Sequence, residues 1–244
     1  MNPPAGGEMR NLIISVVQQY FNIQNMLEKY VLDFLKALKK NNNRIWFEAN
    51  KELYLKAKRN FEHFVLQLIQ ILKSVDPRIG SPEPKDCIFR IYRDVRFSKE
   101  KSPYKTNFGA FIGHGGKNLS RAGYYFHVEP GEIFISGGIY MPESPILKSI
   151  RDAIYDEPEV FKAIIINPEF KKYFSELSGE QLKTYPQGYP KDFPFIDLLK
   201  YKSYYVYRPI NEKMLTSDTL AEEIRNAFIR IKPLNDFLNR AIEH

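Results

Sequence analysis

At its centre the chain reads Gly123-Tyr-Tyr-Phe-His-Val-Glu-Pro-Gly-Glu-Ile-Phe-Ile-Ser-Gly-Gly-Ile-Tyr-Met141, and this segment carries the strongest structural prediction. Proline presets the backbone at the second position of a tight turn, and a following glycine supplies a positive φ. Pro130-Gly131 therefore predicts a hairpin in which Glu129 lies opposite Glu132. Because side chains alternate along a strand, this register assigns each hairpin residue to one of two faces.

The two faces of the predicted hairpin differ in chemistry. One face is apolar and is expected to pack on helices; it carries Tyr124, Phe126, Val128, Ile133, Ile135, Ile139 and Met141. The other combines aromatic and polar side chains, namely Tyr125, His127, Glu129, Phe134, Ser136 and Tyr140. Such a mixture is more typical of a binding surface than of a bare solvent-exposed face.

Further strands are predicted on both sides of the hairpin. Residues 86–94, 105–114 and 204–208 are rich in side chains that suit a pleated surface. Short connections between successive strands favour antiparallel pairing. In the strand predicted over 86–94, alternation places Phe89 with Cys87 and Ile91, on the side opposite Arg90 and Tyr92.

Apolar residues at steps of three and four predict helices before and after the sheet. Helices are expected over 27–39 and 44–74, as a run of short helices from Ser144, and from about Thr219, where Pro233 should break or bend the last helix. The predicted fold class is α+β. A central antiparallel sheet of about five strands has helices N- and C-terminal to it, packed mainly on one face.

Domain organisation is predicted from composition. Met1-Asn-Pro-Pro-Ala-Gly-Gly7 has the composition of a loop, so residues 1–25 are expected to form a flexible N-terminal extension. Met26 begins a segment typical of a protein start, which motivates the hypothesis that it is the natural initiator. Residues 26–244 are expected to form a single α+β domain.

The composition of the chain indicates the charge of its binding partners and the redox state of its compartment. The 244 residues carry a formal net charge of +7, which favours anionic partners but is also compatible with solubility alone. Cys87 is the only cysteine, so no intramolecular disulfide can form, which fits the reducing cytoplasm. No apolar run reaches the roughly 18 residues that span a bilayer, and no membrane association is expected.

Positive charge is concentrated between Phe89 and Lys105. This segment holds six basic residues against Asp94 and Glu100, a net +4. Arginine donates two parallel hydrogen bonds to phosphate or carboxylate, so the segment indicates an anion-binding surface. Each single arginine has an alternative role as the partner of an internal acid. We hypothesise that the segment from Arg96 to Lys105 forms the rim of one sheet face, which carries Arg90, Tyr92, His127, Ser136 and Tyr140.

Catalytic and metal-binding patterns are weak. His127 is a candidate general base, although a hydrogen-bonded structural histidine is the commoner case. Ser136 does not follow the strand-to-helix elbow of a hydrolase nucleophile. The loop Gly113-His-Gly-Gly-Lys-Asn118 does not match a phosphate-binding loop. The four histidines and one cysteine are not at ligand spacing, so neither a metal nor a cofactor is predicted.

Four separated segments provide a resemblance to a known family. They are Asn41-Asn-Asn-Arg-Ile-Trp-Phe-Glu-Ala-Asn-Lys51, Phe89-Arg-Ile-Tyr-Arg-Asp-Val-Arg-Phe-Ser-Lys99, Ser102-Pro-Tyr-Lys-Thr106 and Tyr124-Tyr-Phe-His-Val-Glu-Pro-Gly131. Together, and in this order, they resemble the family catalogued as domain of unknown function 2461. The resemblance covers roughly residues 31–241 and implies a single conserved domain found mostly in bacteria. It implies no activity, cofactor or catalytic residue.

The leading functional prediction is a cytoplasmic protein that binds an anionic ligand, either a phosphorylated small molecule or a nucleic acid. The predicted site residues are Arg90, Tyr92, Arg93, Arg96, Lys99, Lys101, Lys105, Tyr125, His127, Ser136 and Tyr140. One alternative is a hydrolase-type enzyme that uses His127, with arginines stabilising a developing negative charge. The other is a protein-interaction module whose contact surface is the aromatic face. The oligomeric state is not predicted.

Overall fold

The computed structural model describes residues 26–94, 96 and 101–243; the predicted extension over 1–25 and the candidate Lys99 lie outside these residues. The described chain contains an antiparallel sheet of four strands in the order β1-β2-β3-β4. The strands are β1 (Phe108–Ile112), β2 (Gly123–Glu129), β3 (Glu132–Ile139) and β4 (Tyr204–Pro209). The α+β class with a central antiparallel sheet is confirmed, with four described strands against the predicted number of about five.

Nine helices accompany the sheet in the described ranges. Four precede it: α1 (Lys29–Lys40), α2 (Arg44–Ala49), α3 (Lys51–Val75) and α4 (Pro84–Cys87). Four connect β3 to β4: α5 (Ser144–Asp156), α6 (Pro158–Ile166), α7 (Pro168–Phe174) and α8 (Ile196–Leu199). The last is α9 (Leu220–Glu243). Pro77–Ile79 and Glu212–Thr216 form short 3-10 helices. None of the described helices is long and apolar enough to cross a membrane.

The predicted hairpin register is confirmed. Glu129 pairs with Glu132 across the turn, and β1 and β4 extend the sheet on either side. The apolar face packs on the helices: Phe126 lies edge-on to Phe64 of α3 at 4.8 Å, and Tyr124 lies edge-on to Phe228 of α9 at 5.0 Å. These contacts place the main core between the sheet, α3 and α9.

Met141 is an exception to the face prediction. The last strand residue of β3 is Ile139, and Met141 has a φ of 47° and an exposed fraction of 71%. The alternation that would have buried its side chain therefore ends two residues earlier.

The strand predicted over residues 86–94 is wrong. Pro84 begins the single helical turn α4, and the chain that follows it meets the sheet region only through isolated bridges, Ile88 to Ala110 and Tyr92 to Tyr104. Proline suits the first turn of a helix, and this turn displaces the start of the extended segment. Side-chain alternation counted from residue 86 consequently fails.

Of the break or bend predicted at Pro233, the break is absent, because α9 continues through the proline to Glu243. Ile231, Leu234 and Phe237 on this helix are buried, while Pro233 itself is exposed. The burial of apolar residues on both sides of the proline compensates for the backbone hydrogen bond that proline cannot donate.

Two adjacent glycines allow close packing around β3. A Cβ at Gly137 would overlap the side chain of Ile231 on α9. Gly138 has a φ of +118°, and a Cβ there would overlap the backbone of Tyr204 on β4. Helix α9 and strand β4 can therefore both approach this part of β3 only because it carries no side chain.

We predict that Gly138→Ala lowers the free energy of unfolding by at least about 3 kcal/mol, because it combines backbone strain with an overlap that neither strand can relieve. The measurement is urea denaturation. Gly131→Ala is the matched control: Gly131 has a φ of +89° with nothing within 4 Å of its added Cβ, so strain alone should cost about 1 kcal/mol. Equal losses for the two variants would refute the close approach.

Asp76 joins the end of α3 to the sheet. Its buried carboxylate accepts hydrogen bonds from the Tyr124 hydroxyl at 3.1 Å and from Nε of Arg78 at 3.1 Å. Burial alone would raise the pKa of Asp76, but the bonds and charge of Arg78, together with the Tyr124 bond, outweigh it and hold the pKa below the ordinary 3.8.

We expect Asp76→Asn to lower the free energy of unfolding at pH 7 by about 1–3 kcal/mol, because charge-assisted hydrogen bonds are lost. Since the folded pKa is depressed, this contribution is fully present above about pH 4 and is lost as the pH falls through the folded value. Urea denaturation of both proteins between pH 7 and pH 2.5 should show the difference shrinking in acid. A difference independent of pH would contradict the assignment.

Candidate functional site

A cleft of about 590 Å³ lies on the face of the sheet opposite the main core. Its volume falls within the roughly 300–1,000 Å³ range of small-molecule sites. The aromatic residues of its lining are Phe89, Phe111, Tyr125, Phe134, Tyr140, Tyr205 and Tyr207. Its principal polar lining residues are Lys105, Asn107, Arg121, Glu132 and Ser136.

The floor of the cleft is a set of aromatic rings that contact one another across the strands. Phe134 on β3 lies 5.7 Å from Tyr125 on β2 and 4.7 Å from Tyr207 on β4, measured between ring centroids. Tyr140 and Tyr205 form an edge-on pair at 5.5 Å. Cross-strand aromatic pairs of this kind stabilise a sheet and present flat surfaces to a ligand.

One edge of the cleft is cationic. The ammonium groups of Lys105 and Lys117 lie over the ring of Phe89, at 5.4 Å and 4.9 Å from its centroid. We call Phe89, Lys105 and Lys117 the cationic edge. Phe89 is also edge-on to Tyr125 at 6.1 Å, which connects the cationic edge to the aromatic floor.

Lys105 is the electrostatically unusual member of the cationic edge. Burial lowers its pKa, and the neighbouring positive charges of Arg90, Lys117 and Arg93 lower it further. Among the residues that the structure describes, no carboxylate lies within ion-pair distance of the Lys105 ammonium. The protein therefore holds a partly buried cation among like charges, an arrangement that a bound anion would relieve.

His127 lies beside the cleft, with its ring stacked on Phe134 at 4.6 Å. Its Nδ1 is 3.0 Å from the Tyr125 hydroxyl oxygen and 3.4 Å from Nδ2 of Asn107. Burial lowers the pKa of His127, although the nearby carboxylate of Glu129 opposes this shift. The ring is therefore neutral at physiological pH.

Ser136 lies in the wall of the cleft, but its hydroxyl has a structural role. Its Oγ donates a 2.7 Å hydrogen bond to the backbone carbonyl of Val206 on β4. The serine thus satisfies its own polar group within the sheet, which is not the exposed position of a nucleophile.

The structure brings together only part of the predicted site. Lys105, Tyr125, Ser136 and Tyr140 line the cleft, and His127 contacts Tyr125 at its border. The remaining described candidates do not line it: they are Arg90, Tyr92, Arg93, Arg96 and Lys101. Arg90 and Arg93 still act on the site through their charges, as the pKa of Lys105 shows.

Two of the predicted residues have other partners. The prediction that Tyr92 shares the face of His127 is wrong, because its ring contacts Phe47 and Tyr104 in the aromatic cluster beside α2. Arg96 is exposed and bonds Asp94 through its guanidinium at 2.6 Å and 3.0 Å, so the alternative of an internal acid partner applies to it.

Several lining residues were not predicted. Tyr205 and Tyr207 alternate with the buried Tyr204 and Val206 along β4, and the same alternation argument would have found them. The prediction of one strand over residues 86–94 assigns Phe89 to the side of Cys87, whereas the structure places Phe89 in the lining of the cleft. Phe111 and Arg121 in the lining give no comparable local signal, and neither does Lys117, which lies over the ring of Phe89.

Comparison with known families identifies the class of protein. Residues 30–237 match the family model described as a conserved hypothetical protein (DUF2461). The match covers most of the chain, so the protein belongs to this family, and the resemblance seen in its four segments is confirmed. No curated protein and no solved structure matches the chain significantly.

We predict that Lys105 titrates below the ordinary lysine value of 10.5 and that Arg90→Gln raises its pKa, because one repelling charge is removed. Nuclear magnetic resonance of the lysine ε-methylene groups measures this directly. The control is Arg59→Gln, which also removes one positive charge but on α3, and which should leave the pKa of Lys105 unchanged. A Lys105 pKa at or above 10.5 would exclude the proposed repulsion.

Proposed function

We propose that the cleft binds a small anionic ligand that carries a planar ring. The anionic group would lie at the cationic edge, and the ring would lie on the aromatic floor. The observation that carries this proposal is the Lys105 ammonium, which is partly buried among positive charges and has no carboxylate partner within the described chain.

Electrostatics favours an anion over a neutral ligand. A charge withdrawn from water without a partner raises the free energy of the folded protein, and a bound anion would supply that partner. Lys105 and Lys117 can donate hydrogen bonds to phosphate or carboxylate oxygens. Arg90 and Arg93 would add attraction without direct contact, since the field of a charge cluster extends beyond its immediate neighbours.

The floor favours a planar ring within the ligand. Stacking of a nucleobase on aromatic side chains contributes roughly 1–3 kcal/mol per base. The Tyr125 hydroxyl stays protonated, because burial and the nearby carboxylates of Glu132 and Glu129 raise its pKa. It can therefore donate a hydrogen bond to the ligand. A phosphorylated heteroaromatic compound, such as a mononucleotide, combines the required ring and charge in a size suited to the cleft.

The same proposal places the protein in the cytoplasm. Its support is that Cys87 is the only cysteine of the sequence and is buried, so that the fold uses no intramolecular disulfide, as is usual in a reducing compartment.

The test measures the melting temperature of the protein with a panel of purine and pyrimidine mononucleotides. Each mononucleotide is compared with its uncharged nucleoside, which lacks the phosphate, and with ribose 5-phosphate, which lacks the base. We expect at least one mononucleotide to raise the melting temperature more than its nucleoside or ribose 5-phosphate does, because ligand binding to the folded state stabilises it. Calorimetry then gives the affinity. A panel in which no compound stabilises the protein contradicts the proposal.

Charge variants locate the binding. Lys105→Gln should weaken mononucleotide binding about 10-fold or more, since a hydrogen bond to a charged group contributes about 1.5–3 kcal/mol. Lys56→Gln is the matched control, because Lys56 also lies over a ring, that of Tyr30, on helices distant from the cleft. Equal losses of affinity in the two variants would contradict binding at the cationic edge.

Salt dependence separates a small molecule from a nucleic acid strand. Log affinity for single-stranded nucleic acid falls with log salt by about 0.7 per neutralised phosphate. A mononucleotide carries no condensed counterions, so it predicts a much shallower slope, with no large gain in affinity for oligonucleotides. A slope corresponding to several phosphates would assign the cleft to a strand instead.

A further inference from the structure

A mixed cluster of metal-binding side chains lies where β2 turns into β3. His127 and Glu129 are two residues apart and share one face of β2, and Glu132 pairs directly with Glu129 across the turn. One potential ligand atom from each of these three residues lies within 4.8 Å of the other two. The hairpin register, which is also the basis of the core, produces this arrangement.

The two nitrogens of His127 have different environments. Nδ1 is 3.0 Å from the Tyr125 hydroxyl oxygen, which can accept or donate, and 3.4 Å from the amide nitrogen of Asn107. Nε2 is buried and has no hydrogen-bond partner among the described residues. Metal-bound histidines characteristically have one nitrogen fixed by a neighbouring oxygen and the other available to the metal. In the tautomer that carries its proton on Nδ1, the lone pair of Nε2 is available for a ligand.

The two carboxylate oxygens of Glu129 also have different environments. Oε1 accepts hydrogen bonds from the Thr106 hydroxyl at 2.7 Å and from Lys39 at 3.2 Å. Oε2 lies 3.6 Å from Nε2 of His127. In metal sites, a carboxylate that binds the metal through one oxygen is usually hydrogen-bonded to a neighbouring residue as well. Glu129 and Glu132 together carry two negative charges, and the Lys39 ammonium offsets one of them. The cluster therefore retains a net negative charge.

The distance between Nε2 and Oε2 fits a shared metal ion better than a direct bond. At 3.6 Å the two atoms are too far apart for a hydrogen bond. Two ligand atoms on a tetrahedral zinc ion, each about 2.1 Å from the metal, are about 3.4 Å apart. The pair therefore already has nearly the separation that coordination requires, and Glu132, exposed at the turn, needs only a side-chain movement to complete the set.

We infer that His127, Glu129 and Glu132 form a binding site for a divalent transition-metal ion of the zinc type. One imidazole nitrogen and two carboxylate oxygens make a mixed set that suits such ions. Three protein ligands leave a further coordination position, as in zinc sites that bind a water molecule or a substrate. Glu132 also lines the cleft, so the ion would lie at its border. This inference does not depend on the proposed anionic ligand.

The experiment titrates Zn²⁺ into chelator-treated protein by calorimetry, in competition with a chromophoric chelator, and repeats the titration with Co²⁺ to record its visible absorption. The expected result is one equivalent of tight binding and a Co²⁺ spectrum typical of mixed nitrogen and oxygen ligands. Glu132→Gln should weaken binding at least 10-fold without affecting folding, since Glu132 is exposed. Thr106→Val, which removes the shorter of the two hydrogen bonds to Oε1 of Glu129, should weaken binding about 10- to 100-fold.

His127→Gln should abolish the Co²⁺ spectrum, and Glu132→Gln provides an independent result if that variant folds poorly. His63→Gln is the control for adventitious binding, because His63 is exposed on α3 away from the cluster. The inference is overturned if Zn²⁺ does not bind stoichiometrically. It is equally overturned if Glu132→Gln and His127→Gln bind like the parent protein, or if His63→Gln alone removes the binding.

Discussion

The register of the β2–β3 hairpin determines which side chains lie on each face of the sheet. Pro130 and Gly131 fix the turn, and Glu129 opposite Glu132 sets every later pair along the two strands. A slip of one residue would exchange the two faces, exposing Tyr124 and moving His127 into the core. The packing of α3 and α9, the aromatic floor and the histidine–glutamate cluster all require this one pairing.

The same register explains how one sheet combines a core with a cleft. The apolar face is filled by large rings such as Phe126, which pack on the helices. The opposite face presents rings that are only half-buried, such as Phe134 and Tyr207. Gly137 and Gly138 complete the arrangement, because they let α9 and β4 approach β3 closely while leaving the cleft wall without bulk.

Local sequence rules predicted what local interactions determine. The turn at Pro130-Gly131, the two faces of the hairpin and the α+β class all follow from residues adjacent in the chain. The position of Phe89 does not, because it depends on bridges from its segment to residues 104 and 110. The helical turn that begins at Pro84 shifts the alternation, and counting along the sequence places Phe89 on the wrong side.

The roles of the charged side chains were harder to predict from the sequence than the fold. Six basic residues between 89 and 105 form one group in the sequence, yet two that the structure describes, Arg96 and Lys105, have different surroundings. Asp94 binds Arg96 two residues away, whereas Lys105 reaches the cleft wall and has no carboxylate partner in the described chain. The cluster of His127, Glu129 and Glu132 matches no linear metal-binding spacing, because the turn, and not the interval along the chain, brings its three ligand atoms together.

We propose that the protein recognises its ligand on the aromatic face of the sheet. The most direct measurement is a map of nuclear magnetic resonance shift changes while a purine mononucleotide is added to isotope-labelled protein. We expect the largest changes on Tyr125, Phe134 and Tyr205 and on the backbone near Lys105, with little change on the helical side around Phe47. Changes centred on the helical side, or spread without a common location, would contradict it.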